Sequence, residues 1–301
     1  MIKNAISLKQ LEALVAVIDA GTFRRAAERL GTTQPNISAR INALEAQLDL
    51  VLMHRDAGSV RLTERGELLL QSARDVLWAA EKFIETANRK DLVQERLRLG
   101  VTELIACTWL HDFLRALKQI YPSVAVELSI NLSKEIEAEL NSGQIDLALQ
   151  TAPFDKEMTG TIALDKQPYG WVASPGIVAD LGNERTLRAF VQWPVLAHAK
   201  HTIAAKRLAD TVETNGLPPE RIVQSSSLTS SMQMAVDGMG IAMLAKTLTQ
   251  ELEDNGKLVA LSCDWHPPAL EFFARFDAKR MPRFIAEAAA LAAKVSRKIG
   301  G

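Results

Sequence analysis

Residues 22–49 read TFRRAAERLGTTQPNISARINALEAQLD, and this stretch predicts two helices joined by a tight turn. Thr22 is a residue type that caps the start of a helix and Gly31 is a type that ends one, so the first helix is expected between them. Thr33 can cap the second helix. One buried side of that helix is indicated by apolar residues at helical spacing, namely Ile37, Ile41, Leu44 and Leu48. The stretch therefore predicts a helix-turn-helix.

The residues on either side complete a small domain. Ser7 and Gln10 have the spacing of a capping box and predict an earlier helix. Residues 52–55 and 59–62 are short strand patterns on either side of a turn, which predict a hairpin, or wing. We therefore expect a winged helix-turn-helix domain over residues 1–62.

A long helix is predicted over residues 63–90. Its apolar residues follow the alternating spacing of a heptad seam, namely Leu69, Ala73, Val76, Ala80, Phe83 and Ala87. Such a seam favours a linker helix that pairs with the same helix of a second copy. A stripe at this spacing can also pack on its own domain, and the sequence leaves that alternative open.

Residues 91–301 alternate strand and helix patterns. Strands are predicted at residues 97–101, 124–130 and 145–149, with a helix in each of the two gaps. Because crossover connections of this kind are right-handed, the order predicts a β-α-β-α-β unit with a parallel sheet.

The pattern then restarts and predicts a second α/β unit. Its strand-like segments are residues 169–174, 195–197, 222–223, 241–244 and 258–261. The last strand and helix, residues 270–275 and 284–296, are expected to return to the first unit. We therefore expect lobe I over about residues 91–161 and 269–301 and lobe II over about residues 162–268.

Composition excludes several classes of protein. The 301 residues are 48% hydrophobic and 24% charged, which is typical of a packed globular protein and not of a disordered or fibrous one. The net charge is -1, and residues 1–90 hold 13 basic against 11 acidic residues. This balance is too weak to indicate nucleic-acid binding by itself. A DNA-binding hypothesis must therefore rest on geometry.

Two features predict a cytoplasmic protein without a membrane partner. The N-terminus has no secretory pattern, and no run reaches the roughly 18 apolar residues that a membrane helix needs. Cys107 and Cys263 are the two cysteines, and a reducing cytosol would keep both as thiols. Structural thiols are the simpler interpretation, and a redox-sensing pair is the alternative.

Polar side chains cluster at the start of the second predicted helix, where a helix-turn-helix presents residues to base edges in the major groove. Glutamine and asparagine can make paired hydrogen bonds to adenine, and arginine can pair with guanine or phosphate. The candidate DNA-binding residues are Thr33, Gln34, Asn36, Ser38 and Arg40.

The N-terminal residues resemble the signature of the LysR family of bacterial transcription regulators. The matching positions are Ala26, Ala27, Leu30, Thr33, Gln34, Pro35, Ser38, Ile41, Leu44, Glu45, Leu48, Leu52, Arg55, Leu62, Thr63 and Gly66. Later motifs also resemble the family, namely LRLG at residues 97–100, YP at 121–122, GQIDLA at 143–148 and VDGMGIA at 236–242. The resemblance therefore spans essentially the whole chain.

The resemblance implies both a fold and roles for particular residues. The fold is multidomain, with an all-α winged helix-turn-helix plus a long linker helix, then a two-lobed α/β periplasmic-binding-protein-like sensor domain. Gln34, Pro35 and Ser38 would contact the operator, and Arg55, at the base of the wing, would touch the phosphate backbone. The implied partners are double-stranded operator DNA, a small-molecule effector and further copies in a homodimer through the linker helix and a homotetramer, with RNA polymerase as a further candidate. No cofactor is expected.

Three positions depart from the family pattern. Ala39 stands where many relatives carry an arginine that reads a base, and Asn36 or Arg40 can substitute for it. Asp49 replaces a usual glycine, and we expect it to change the shape of that turn because aspartate adopts a left-handed backbone less readily. Met53 replaces a usual phenylalanine and stays apolar.

Hydroxyl side chains follow the predicted strands of the sensor domain, where helices begin. Ligands of open α/β sheets gather outside the carboxyl ends of the strands, at helix N-termini that present free N–H groups. The candidate ligand-binding residues at these points are Thr102, Ser133, Thr151, Ser226 and Ser227. Such a ring suits a small anion and predicts an organic acid as effector. Each hydroxyl can instead merely cap its own helix, and the sequence leaves this open.

His198 and His201 are three residues apart, but no nearby cysteines or clustered carboxylates complete a zinc site, so no metal is expected. His201 is a further candidate to line the ligand cleft. The alternative function is a cytoplasmic enzyme or solute-binding protein on the same two-lobed α/β fold. The sequence carries neither a Gly-x-Ser-x-Gly motif nor a phosphate-binding glycine loop, and we assign no catalytic residues. We therefore expect a ligand-responsive regulator and not an enzyme.

Overall fold

The computed structural model describes residues 6–56, 59–87, 96–200, 202–279 and 281–298, and the N-terminal elements follow the predicted order. Three helices come first, α1 (Leu8–Ala20), α2 (Phe23–Arg29) and α3 (Gln34–Leu48). The wing is an antiparallel hairpin of β1 (Met53–Asp56) and β2 (Ser59–Leu62), and the linker helix is α4 (Glu64–Thr86).

The helix starts use the local signals in the sequence. The Ser7 N–H donates to Gln10 Oε1 at 2.7 Å, as in a capping box. The Thr22 hydroxyl accepts a hydrogen bond from the Arg25 N–H at 3.2 Å. Thr33 has the extended backbone of an N-cap residue, but its hydroxyl makes no capping hydrogen bond within the described residues. Thr33 thus marks the start of α3 by its backbone alone.

The turn after α3 corrects one expectation. Asp49 lies in the left-handed region with φ 52° and ψ 44°, and its N–H donates to the Glu45 carbonyl. The expectation that aspartate changes the shape of this turn is therefore wrong. Aspartate is among the few residue types other than glycine that adopt this backbone, because its short polar side chain can form local hydrogen bonds.

The N-terminal domain packs around α3. Ile37 and Ile41 are fully buried, and they pack with Ala26 of α2. Gly66 lets the start of α4 lie directly against the wing, since a Cβ at this position would be 2.0 Å from the Leu52 carbonyl oxygen. Only glycine permits this close approach.

The seam predicted on the linker helix α4 is divided along the helix between a part that packs on the N-terminal domain and a part that stays exposed. Leu69 and Ala73 pack on the core of the N-terminal domain, so the alternative of local packing holds at this end of the helix. Val76 and Phe83, seven residues apart, are 46% and 76% exposed. We call these two residues the outward stripe. These two side chains of the predicted seam remain accessible on α4 to a partner helix, and Ala87, which is also exposed, lies just after the helix ends at Thr86.

Polar contacts join α4 to the rest of the chain. Arg74 Nη2 lies 2.5 Å from Asp19 Oδ1 of α1, and Arg74 Nη1 donates to the Lys279 carbonyl at 3.2 Å. The Arg283 N–H donates to Glu81 Oε2 of α4 at 2.8 Å. The linker helix therefore contacts both the N-terminal domain and the segment before the last helix.

Lobe I is built on a five-stranded sheet. Its elements are β3 (Arg96–Val101), α5 (Glu103–Cys107), α6 (Leu110–Ile120), β4 (Ala125–Ile130), α7 (Ser133–Asn141), β5 (Leu147–Thr151), β6 (Gly160–Ala163), β12 (Phe272–Phe276) and α13 (Arg283–Ser296). The strand order is β4-β3-β5-β12-β6, with β3 parallel to β4 and β5 and with β12 antiparallel to β5 and β6. The predicted return of the last strand and helix to this lobe is confirmed.

Lobe II is built on a second five-stranded sheet. Its elements are β7 (Tyr169–Ala173), α8 (Pro175–Leu181), α9 (Leu187–Phe190), β8 (Val195–His198), α10 (Ile203–Thr214), β9 (Ile222–Ser225), α11 (Leu228–Val236), β10 (Ile241–Ala245), α12 (Lys246–Asp254) and β11 (Val259–Leu261). The strand order is β11-β7-β10-β8-β9, in which β8 is parallel to both of its neighbours. Of the described helices, none has the length and apolar character to cross a membrane.

Candidate functional site

The first turn of α3 forms an exposed polar surface. Thr33, Gln34, Pro35 and Asn36 are exposed, and Ser38 is half-buried. The Asn36 amide donates to the Thr32 hydroxyl at 3.2 Å. The structure therefore brings most of the predicted DNA-binding residues of this helix to its accessible end.

The predicted α3 residues do not all share one side of the helix. Successive residues turn by about 100°, so Gln34 and Ser38 lie nearly opposite Asn36 and Arg40. The Arg40 side chain lines a cavity of about 840 Å³ that also borders α1, α4 and lobe I. Asn42, exposed one turn after Ser38, is a further polar residue on this helix that the sequence analysis did not select.

Basic residues of α2 lie beside this surface. Arg24 and Arg25 are exposed on the helix that precedes the turn, and Arg24 pairs with Glu28 at 3.4 Å. A helix in this place crosses the DNA backbone in helix-turn-helix proteins, so exposed arginines there suit phosphate contacts. In the wing, the backbone of Arg55 pairs with that of Val60, and the predicted phosphate contact of Arg55 stays a prediction.

Three of the predicted ligand-binding residues meet at the carboxyl ends of the lobe I strands. The Ser133 and Thr151 hydroxyl oxygens are 2.7 Å apart, and the Thr151 N–H donates to Ser133 Oγ at 3.1 Å. Thr102 begins α5, and its N–H donates to the Leu149 carbonyl at 3.2 Å. Its side-chain oxygen is buried and has no hydrogen-bond partner among the described residues.

The predicted residues of lobe II lie at the start of α11. Ser227 is the N-cap residue, and its hydroxyl accepts a hydrogen bond from the Ser230 N–H at 3.2 Å. Ser226 is exposed beside it. The capping interpretation therefore holds for Ser227, and the ligand role of both residues stays a prediction.

Glu103 occupies the cleft between the lobes, and the sequence analysis did not select it. Its carboxylate accepts hydrogen bonds from the Leu228 N–H at 2.6 Å and the Thr229 N–H at 3.2 Å, together with the Ser227 and Thr229 hydroxyls. Burial acts to raise the pKa of Glu103, but these hydrogen bonds outweigh burial and the pKa is lowered. The α11 terminus that sequence reasoning assigned to an external anion thus already holds a carboxylate of the chain.

His198 ends β8 at the same cleft. Burial lowers its pKa, although the charge of Glu103 and a hydrogen bond with the Ser225 backbone act to raise it. His201, predicted to line the cleft, lies outside the described residues. Within the described ranges, no cluster of three histidine, cysteine, aspartate or glutamate side chains could hold a metal ion.

The two family models that match the chain divide it between two parts. "Bacterial regulatory helix-turn-helix protein, lysR family" matches residues 8–67, and "LysR substrate binding domain" matches residues 90–293. The transcriptional regulator PtxR of Pseudomonas aeruginosa is 27% identical over 287 residues, which cover 92% of this chain and 88% of that protein.

Solved structures of full-length regulators have a similar fold. A full-length OxyR variant from Pseudomonas aeruginosa matches with a TM-score of 0.59 at 21% identity, and 98% of each chain is covered. Full-length LysG from Corynebacterium glutamicum, solved with bound effector Arg, matches with a TM-score of 0.59 at 19% identity over 97% of this chain and 99% of that chain. At these identities the comparison concerns the fold alone.

Proposed function

Because the chain belongs to the LysR family of DNA-binding transcription regulators, which carry an effector-binding domain, we propose that it reads its operator with α3 and responds to a ligand in the cleft between lobes I and II. The observation that carries this proposal is the exposed first turn of α3, directly after a tight turn. We assign residues 1–62 to the DNA-binding domain, 63–90 to the linker and 91–301 to the effector-binding domain. An operator-binding assay tests the proposal, and the absence of salt-sensitive, sequence-preferring binding would overturn it.

Gln34 is the side chain that we expect to read a base. Replacing Gln34 by Ala should weaken operator binding by about 1–3 kcal/mol and non-specific binding much less, because a paired hydrogen bond to a base edge is lost while phosphate contacts remain. Fluorescence anisotropy with operator and scrambled duplexes at one salt concentration measures the specific and the non-specific affinity.

The matched control for Gln34 is Gln71, an exposed glutamine on α4 away from the predicted DNA surface. Replacing Gln71 by Ala should leave both affinities unchanged. Equal losses on operator and scrambled DNA in the Gln34 variant would show that Gln34 does not read a base.

The proposed assembly uses two apolar surfaces. The outward stripe of α4 supports a homodimer through the linker helix. The strand β4 is an edge of its sheet, and Val126, Leu128 and Ile130 on it are 38–48% exposed. A tetramer of two dimers needs one interface within each dimer and a second interface between the dimers. The exposed apolar edge at β4 is the surface that we propose for the second interface. Contact with RNA polymerase stays a prediction.

We propose that the effector is a small polar molecule held at the carboxyl ends of the lobe I strands. Ser133 begins α7, whose first-turn N–H groups favour an anionic group, and this supports the predicted organic acid. LysG, with a similar fold, was solved with bound effector Arg, which is also a small polar ligand.

Filling this end of the cleft should remove the effector response. Replacing Ser133 by Phe places a ring where the Ser133 and Thr151 hydroxyls meet, so the promoter should become unresponsive in a reporter strain while operator binding persists. Ser142 is exposed at the other end of α7, and replacing Ser142 by Phe is the matched control. A normal response in the Ser133 variant would move the ligand site elsewhere.

A further inference from the structure

The Glu103 side chain joins the two lobes across the cleft. It lies in the first turn of α5 in lobe I, and the four groups that donate to it belong to residues 227–229 of lobe II. Two are the backbone N–H groups of Leu228 and Thr229, and two are the hydroxyls of Ser227 and Thr229. These contacts are 2.6–3.2 Å long and connect residues 124–126 positions apart in the chain.

The carboxylate occupies the position at which a helix holds an anion. The first N–H groups of α11 have no partner within the helix, and the helix dipole favours negative charge beside them. Glu103 supplies that charge and uses the N–H groups of Leu228 and Thr229. An incoming acid would therefore meet a fixed negative charge and donors that are already bonded.

Two buried polar atoms near Glu103 are uncharged. Thr102 Oγ1 and His198 Nδ1 are buried, and neither has a hydrogen-bond partner in the part of the chain that the structure describes. Because the pKa of His198 is lowered, the imidazole is neutral at pH 7. A ligand group at this point meets a resident carboxylate together with two neutral hydrogen-bonding atoms.

We propose that Glu103 is a specificity-determining residue of the effector cleft: it fills the anion position of α11 and thereby selects an uncharged or cationic ligand group there. This rests on the proposed function, in which the cleft is the effector site. The carboxylate of an acidic effector is then confined to the α7 end of the cleft. An effector with an acid at one end and a neutral or basic group at the other fits both ends.

Replacing Glu103 by Ala should convert the α11 terminus into a site for an external anion. Acetate, titrated into the purified full-length variant, should raise its Tm saturably, by roughly 3–5 °C at ten times its Kd. This shift should come in addition to any shift that acetate produces in the wild-type chain by binding at the α7 end of the cleft, because in the wild-type chain the α11 position is filled. Glu103→Gln, whose amide still occupies the α11 position, should give the same acetate response as the wild-type chain.

The matched control is Glu213→Ala, which removes an exposed carboxylate from α10 of lobe II. Its acetate response should equal that of the wild-type chain. Should Glu103→Ala not fold, Glu103→Ser carries the same test with a small side chain that leaves the donors available. Equal acetate responses in the wild-type chain and in the Glu103→Ala or Glu103→Ser variant would overturn the proposal.

Operator binding by the same samples separates this proposal from the proposed function. A chain that binds no operator but whose Glu103→Ala variant responds to acetate more strongly than the wild-type chain would contradict the regulator assignment and support the role of Glu103 at the α11 terminus. A chain that binds operator but whose Glu103→Ala variant shows no additional acetate response would support the regulator assignment and contradict the role of Glu103 at the α11 terminus.

Discussion

Replacing Arg275 by Met is expected to lower the free energy of unfolding of the sensor domain by about 3–5 kcal/mol, because Glu137 would stay buried without its cation. The Arg275 side chain is 1% exposed, and its Nη1 lies 3.0 Å from Glu137 Oε1. Urea denaturation followed by tryptophan fluorescence measures the loss. Four of the five tryptophans report on this domain, namely Trp109, Trp171, Trp193 and Trp265.

The Arg275–Glu137 pair also fixes the backbone that follows β5. Glu137 accepts hydrogen bonds from the Asp155 and Lys156 N–H groups at 3.0–3.2 Å, and Arg275 donates to the Lys156 carbonyl. The guanidinium lies 3.7 Å above the centre of the Phe154 ring. Methionine preserves much of the apolar contact, so the expected loss reports mainly the missing charge.

An exposed ion pair in the same sheet is the control. Arg96 and Glu127 are in contact at 2.6 Å, but their side chains are 44% and 53% exposed. Replacing Arg96 by Met should cost at most about 1 kcal/mol, since water already solvates both charges. If the Arg275 and Arg96 variants lost equal free energy of unfolding, burial of the Arg275–Glu137 pair would not explain its contribution to stability.

The effect of Arg275 should depend on pH. Burial acts to raise the pKa of Glu137, but the Asp155 and Lys156 N–H groups and Arg275 outweigh burial and lower the pKa. The pair therefore stabilises the fold above the ordinary carboxyl pKa, about 4.3, and this contribution is lost as the pH falls through the folded-state pKa. The stability gap between wild type and Arg275→Met should be full near pH 7 and should shrink below about pH 4. A gap that stays constant between these pH values would argue against an ionised Glu137.

Local sequence signals predicted the elements that depend on neighbouring residues. The capping box at Ser7 and Gln10 and the cap at Thr22 were predictable because their hydrogen bonds span three residues. The strands β3, β4 and β5 of lobe I were predictable from the apolar pattern within each strand, although they pair with strands far away in the chain. The predicted seam of α4 was only partly right, because heptad spacing does not reveal that Leu69 and Ala73 already pack on the N-terminal domain.

The features that sequence analysis missed depend on distant contacts. Glu103 lies in a short helix that carried no clear periodic pattern, and its partners are more than 120 positions away. Arg275 is a charged residue in a buried strand, and the sequence does not indicate that Glu137 neutralises it. The strand β6 has its only apolar β-branched side chain at Ile162, and it forms because β12 returns beside it.

Replacing Phe83 by Glu is expected to convert the proposed homodimer to monomer and to weaken operator binding by about 100-fold or more. Phe83 is 76% exposed, and Val76 lies one heptad before it on the outward stripe of α4. A partner helix would bury both side chains, whereas a carboxylate at this point would be desolvated beside its own copy. Two linked domains bind two half-sites far more tightly than separate domains do, so loss of the dimer removes that gain. Analytical ultracentrifugation and operator titration measure the two effects.

The fold of the Phe83 variant should be unaffected, because the ring contributes little to the packing of its own chain. Substitutions at exposed positions usually change stability by less than about 0.5 kcal/mol. Lys82→Glu, which also introduces a carboxylate at an exposed position of α4 but off the stripe, should remain dimeric and bind operator normally. If Phe83→Glu is still a dimer with unchanged operator affinity, the linker helix is not the dimer interface. In that case the exposed edge of β4 becomes the first alternative to examine, since it carries the other apolar surface proposed for assembly.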